Sequence, residues 1–162
     1  MEFLSWIQDH TELFLENPKQ SNQTSINRKE IVYSRLWIYS HHIFNTDKRR
    51  NIVHWAEQLN LNGFSLPGKP GIICVEGQDN DVEQYWTRLR NLNWKKLQIK
   101  EKEILPLIDS KVKLSFHRFE ELSFVDDHSG KGDFGQFYHY LQEKQFEHIF
   151  HLYFGVDGTE KK

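Results

Sequence analysis

The sequence predicts an α+β fold in which helices lie against one face of a mixed sheet, and three observations carry that prediction. Residues 31–42 alternate, with Val32, Leu36 and Ile38 on one parity and Tyr33, Arg35, Trp37, Tyr39 and His41 on the other. That is the two-residue period of a strand buried on at least one face. Two segments of similar length, 46–59 and 82–92, carry apolar residues at helical spacing. Extended stretches lie between and after them, so the order reads β-α-β-α-β.

In chain order, residues 1–16 read as an amphipathic helix with Phe3, Ile7 and Phe14 near one stripe. Residues 17–26 hold Pro18 and no regular apolar pattern, and read as a linker. The main domain is expected over residues 27–154. After the first strand, Thr46 is a plausible N-cap for a helix whose buried stripe is Ile52, Trp55 or Ala56, and Leu59. Asn62-Gly63 reads as its left-handed stop. Pro67 to Gly71 is a turn, and Ile72 to Glu76 an apolar strand. Asp79-Asn80-Asp81 caps the second helix, which buries Val82, Tyr85 or Trp86, and Leu89. Trp94 to Lys100 alternates as a strand, and Ser115 to Phe124 as a weaker one. Residues 126–132 form a polar loop, 133–144 a third helix, and the aromatic run 146–154 a fourth; residues 155–162 are a tail. The arrangement is a ferredoxin-like split β-α-β sandwich with a C-terminal helical addition.

Composition narrows the function classes. A chain of 162 residues has room for one good core. Its 21 basic and 23 acidic residues give a net charge of -2, which argues against a strongly basic nucleic-acid binder. The average hides an asymmetry, because residues 31–121 carry 14 basic and 11 acidic groups while both ends are negative. Cys74 is the one cysteine and lies in an apolar run, so no intrachain disulfide can form and a buried thiol is expected. Charge interrupts every apolar run short of a membrane span, and the cytosol and the nucleus are the expected compartments.

Enzyme chemistry finds no convergent acid, base and nucleophile, so a non-enzymatic protein without cofactors is expected. His41 and His42 adjoin at a strand end, where alternation points them apart. His148 and His151 stand at helical spacing but lack the carboxylate pattern of H-E-x-x-H, and their aromatic neighbours favour packing, so no metal site is expected. Gly68, Gly71 and Gly77 match neither phosphate-loop spacing, and Asp79 and Asp81 would repel a phosphate there.

Binding chemistry is more productive. Lys48, Arg49 and Arg50 occupy the first turn of a helix, where the dipole favours anions, so they read either as a solvated basic face or as a phosphate site. The outward parity of the first strand offers Tyr33, Arg35, Trp37 and Tyr39 as a stacking face for unpaired bases, with Lys95 and Lys96 as rim contacts. The rival reading has Phe137, Tyr140, Leu141, Phe146 and Phe150 of the C-terminal helices roofing that face into a second core.

A resemblance bears on this choice. Tyr39-Ser40-His41-His42, Lys48-Arg49-Arg50, Trp55-Ala56-Glu57-Gln58-Leu59, Asn62-Gly63, Gly68-Lys69-Pro70-Gly71, Val75-Glu76-Gly77 and Trp94 carry it. They resemble the C-terminal domain of the second RWD-domain-containing protein subgroup and, more distantly, that of spliceosomal pre-mRNA-processing factor three. The resemblance spans Val32 to Phe154 and implies a ferredoxin-like fold and RNA as a partner. It also implies that residues 1–16 are the last helix of an upstream RWD domain in a shortened product. A protein-interaction module is the alternative it leaves open.

Overall fold

The computed structural model describes residues 30–124 and 134–155. The expected first helix, the linker, the polar loop at 126–132 and nearly all of the tail lie outside the described residues. From Val32 onward the described residues form one compact unit.

Its elements run β1 (Tyr33–Ser40), α1 (Thr46–Gln58), β2 (Asn62–Leu66), β3 (Gly71–Gln78), α2 (Asp79–Arg90) and β4 (Leu97–Leu105). A two-stranded hairpin of β5 (Leu107–Ile108) and β6 (Lys111–Val112) follows, then β7 (Phe119–Glu121), α3 (Phe134–Glu143) and α4 (Glu147–Phe154). The main sheet has the order β4-β1-β3-β2-β7. Each of its first four strands pairs antiparallel with its neighbour, and β7 joins β2 in parallel. Two split β-α-β units with that order make the predicted α+β, ferredoxin-like sandwich, and β7 with α3 and α4 are the C-terminal addition.

Both faces of the sheet are buried. Leu36 and Ile38 of β1 join Ile73, Val75, Ile52, Ala56, Val82, Tyr85 and Leu89 in a core beneath α1 and α2. Trp37, Ile72, Cys74, Phe64, Phe137, Leu141, Phe146 and Ile149 form a second core beneath α3 and α4. The strand's alternation therefore sorts its side chains between two cores rather than between core and water. This second layer explains why β3 is buried along nearly its whole length.

Several boundaries move, each for a local reason. β1 is shorter than residues 31–42, and Val32, expected inside, is 42% exposed. Asn45, not Thr46, caps α1 by accepting a hydrogen bond from the Lys48 amide at 2.9 Å. The left-handed residue after α1 is Asn60, with φ 54°, and not the Asn62-Gly63 pair, which begins β2. Gly63 instead has φ 139° and runs so close to β3 that an added Cβ would sit 1.9 Å from the Cys74 carbonyl oxygen. Gly63→Ala is therefore expected to destabilise the fold by more than about 1 kcal/mol, read as a lower urea midpoint. Asp79 and Asp81 lie inside the first turn of α2 rather than before it, and Gln78 occupies the cap position. The strand expected from Trp94 begins at Leu97 and runs on to Leu105, while the one expected over 115–124 contracts to β7.

β4 carries a register shift against β1 between Trp37 and Ile38, whose partners are Glu101 and Ile99. Skipping Lys100 is a β-bulge, and it exchanges the two faces of the strand. Lys102 consequently reaches Asp79 and Glu83 of α2 at 2.9 and 2.7 Å, while Glu101 and Glu103 turn toward the α4 layer.

Candidate nucleic-acid interface

The stacking face predicted on β1 is roofed. Trp37 is fully buried, edge-on to Phe64 and Phe146 with centroids 6.0 and 5.1 Å away. Its indole N–H donates to Glu103 Oε2 at 3.2 Å, so even its polar atom is spent internally. Arg35 is buried too, and donates to Glu76 Oε2, Glu103 Oε2 and Ser115 Oγ, each at 2.9 Å. Its guanidinium also lies 4.7 Å from the centroid of the Phe146 ring. Burial works against its charge, but the bonds to Glu103 and Glu76 outweigh burial and hold the proton more tightly than usual. Neither Arg35 nor Trp37 can meet a base without opening the fold. That corrects their reading as stacking residues: the aromatic residues of α3 and α4 gain more by covering this face than by leaving it wet.

Tyr33 and Tyr39 are half-buried at opposite ends of β1. Six residues of strand separate them by roughly 20 Å, so they do not form one platform.

The basic start of α1 is also largely committed. The Lys48 ammonium donates to the Asn93 carbonyl and lies 4.2 Å from the Trp94 ring centroid, and partial burial lowers its proton affinity. Arg49 grips Glu121 of β7 with two bonds, Nε to Oε2 at 3.1 Å and Nη2 to Oε1 at 2.5 Å. Arg50 is the exposed member, with its nearest carboxylate, Asp47, at 3.5 Å. Three free phosphate contacts therefore reduce to one.

The topology assembles a different cationic surface at the same end of the sheet. In the order β4-β1-β3-β2, the exit of β1, the entry of β4 and the β2–β3 loop lie side by side. The His41 amide donates to the Lys96 carbonyl at 3.1 Å, and Ile43 and Gly68 exchange backbone bonds of 2.8 and 3.0 Å. Lys95, Lys96 and Lys69 are exposed there. Lys96 and Lys100 approach the Tyr39 ring at 5.6 and 5.1 Å. His42 and Phe44 stack with centroids 5.0 Å apart and planes 19° from parallel, and Phe44 is 60% exposed. Lost hydration, then the charges of Lys95, Lys69, His42 and Lys96, lowers the proton affinity of His41.

Of the nine residues expected to bind, this end gathers Tyr39, Lys95 and Lys96, with Arg50 exposed on the helix that starts beside it. His42, Phe44, Lys69 and Lys100 were missed. His41 and His42, expected to point apart, have centroids 5.3 Å from each other, because β1 ends at Ser40 and alternation ends with it.

Among the described residues no helix is long and apolar enough to cross a membrane. The chain resembles the acylphosphatase of Bacillus subtilis at 14% identity, covering 56% of this chain and 98% of that one with a TM-score of 0.43. A bacterial light-regulated adenylyl cyclase matches at 13% identity over 72% of this chain and 35% of that one, with a TM-score of 0.45. The strand order stands independently of both. In sequence, the chain is 36% identical over 70 residues to the phomoidride biosynthesis cluster protein F of a fungal species (strain ATCC 74256). That stretch is 43% of this chain and 23% of the fungal protein. A family model described as "Small nuclear ribonucleoprotein Prp3, C-terminal domain" matches residues 36–153, from inside β1 almost to the end of α4. With that match covering most of the chain and nearly all of the two-layered sandwich, the chain belongs to the family of the Prp3 C-terminal domain.

Proposed function

We propose that this chain is a non-enzymatic RNA-binding domain whose contact surface is the cation-lined end of the sheet. Lys69, Lys95, Lys96, Lys100 and Arg50 meet phosphates, and the exposed Phe44, backed by His42, takes an unpaired base. The observation that carries this reading is the exposed Phe44 ring, stacked on the half-buried His42, on the same sheet end as these lysines, the combination single-stranded nucleic acid needs. A local surplus of this kind is compatible with a net charge of -2. Membership of a family named for a small nuclear ribonucleoprotein supports RNA as the partner and the nucleus as the compartment. The non-enzymatic reading draws support from Cys74, whose thiol is buried and pushed well above its ordinary proton affinity by that burial. The residue pattern from Tyr39 to Trp94 supports placement within the RWD-containing subgroup.

Anisotropy titrations with single-stranded and junction RNAs at two salt concentrations test this. Phe44→Ala is expected to weaken binding by about 1–3 kcal/mol without lowering the melting midpoint, since the ring is mostly exposed. Binding with no salt dependence would count against the reading. A pH dependence follows with a defined sign. Lost hydration and then the neighbouring cations depress the His41 proton affinity in the free protein, and bound phosphates offset the cations, so binding takes up a proton. Affinity should rise on acidification from about pH 8 to about pH 6, and His41→Gln should flatten that rise.

A second reading, a protein-interaction module, rests on β4. It is an edge strand that exposes Ile99 at 41% and Ile104 at 62%, and the following hairpin exposes Leu107 and Ile108. Such an edge can accept an added strand. Ile104→Lys should then abolish capture of a protein partner and leave RNA affinity unchanged.

A further inference from the structure

β4 and α4 bring together two carboxylates, Glu101 and Glu103, and an imidazole, His148, from a segment distant in sequence. Ordinary alternation puts Glu101 and Glu103 on the same face of β4, and His148 of α4 lies beside Glu101 there. One ligand atom from each of the three lies within 4.8 Å of the others. His148 Nε2 stands 3.8 Å from Glu101 Oε2, too far for a hydrogen bond. That carboxylate oxygen is shielded from solvent and has no hydrogen-bond partner. A shielded, unpaired carboxylate oxygen is costly and is a position a cation would occupy. Nitrogen and oxygen ligands at ~2.0–2.2 Å from a tetrahedral ion stand roughly 3.3–3.6 Å from each other. The spacing found therefore needs only a small closure.

The surroundings favour a cation. Glu103 receives Arg35 and Trp37 on the same oxygen, Oε2, which fixes the carboxylate in place as outer partners of metal ligands do. Two carboxylates, Glu76 and Glu103, share one guanidinium, Arg35, and Glu101 lies beside Glu103 as a third negative charge. Lys144, bonded to the Ser115 carbonyl at 3.3 Å, adds a second positive charge and still leaves the cluster negative. His148 remains 55% exposed, so an ion can enter from that side.

We propose that Glu101, Glu103 and His148 form a binding site for a divalent transition-metal ion of the zinc type, with its remaining position open to solvent. An imidazole among the ligands favours such an ion over calcium or magnesium, which take all-oxygen sites. Bound there, the ion pins the start of α4 to β4 and so holds the second layer closed. The pattern is invisible along the helix, where His148 was paired with His151 and no metal site was expected. Its partners come from a strand instead.

The test is a Zn2+ titration of the chelator-stripped full chain, followed by NMR at the His148 ring and the Trp37 indole N–H. Saturable shifts of both signals at one equivalent and a raised melting midpoint are expected. His148→Ala and Glu101→Gln should each abolish them. Neither variant breaks a hydrogen bond found here, so both should fold. No zinc response at these two signals, or one that persists in both variants, overturns the site.

Discussion

Replacing Trp37 by alanine is expected to destabilise the protein by about 3–5 kcal/mol, enough to unfold much of a domain of ordinary stability. The indole is fully buried, touches Phe64 and Phe146 edge-on, and holds Glu103 through its N–H. Its removal leaves a cavity between the sheet and α4 and strips one bond from Glu103. Urea melts monitored by circular dichroism read this directly. A Trp37→Ala protein that folds with an unchanged midpoint but no longer binds RNA would show instead that β1 presents an open platform.

The second large effect lies beside it. Glu76 is buried without exposed area, takes Arg35 at 2.9 Å, and accepts the Phe116 amide at 2.7 Å. Glu76→Ala leaves the Arg35 guanidinium short of a counter-charge and a backbone N–H without a partner. Breaking a buried pair in this way costs about 3–5 kcal/mol. Arg35→Ala alone should cost a similar amount, and the double replacement clearly less than their sum, because the two side chains share one interaction. Additive losses would show that the pair contributes little to the fold.

Much of the fold was legible because it rests on local periodicity. The alternation of Leu36 and Ile38 against Arg35 and Trp37 located β1, helical spacing located α1 and α2, and the dense aromatic run marked α4. What alternation could not state was that both faces are covered. Arg35 and Trp37 carry polar atoms that suit a wet surface. Their partners Glu76, Glu103 and Ser115 lie 41 to 80 residues away, and no window of sequence joins them. The rest of the candidate interface, beyond Tyr39, Lys95 and Lys96, escaped notice for the same reason. Phe44 and Lys69 sit in irregular segments with no period to read, and only the strand order puts them beside Lys95 and Lys96. The basic start of α1 was legible as charge, but not the commitment of Arg49 to Glu121 on a strand that joins the sheet later in the chain.

The central claim is that RNA meets the end of the sheet and not its face. The most direct measurement is the salt dependence of RNA affinity for the native chain and for the triple variant Lys69→Ala, Lys95→Ala, Lys96→Ala. Each lost phosphate contact to a single strand lowers the slope of log K against log salt by about 0.7. The triple variant should therefore lose roughly 2 from that slope, with an unchanged melting midpoint, since all three side chains are exposed. An identical slope in both proteins, or no RNA binding above background by the native chain, would contradict it.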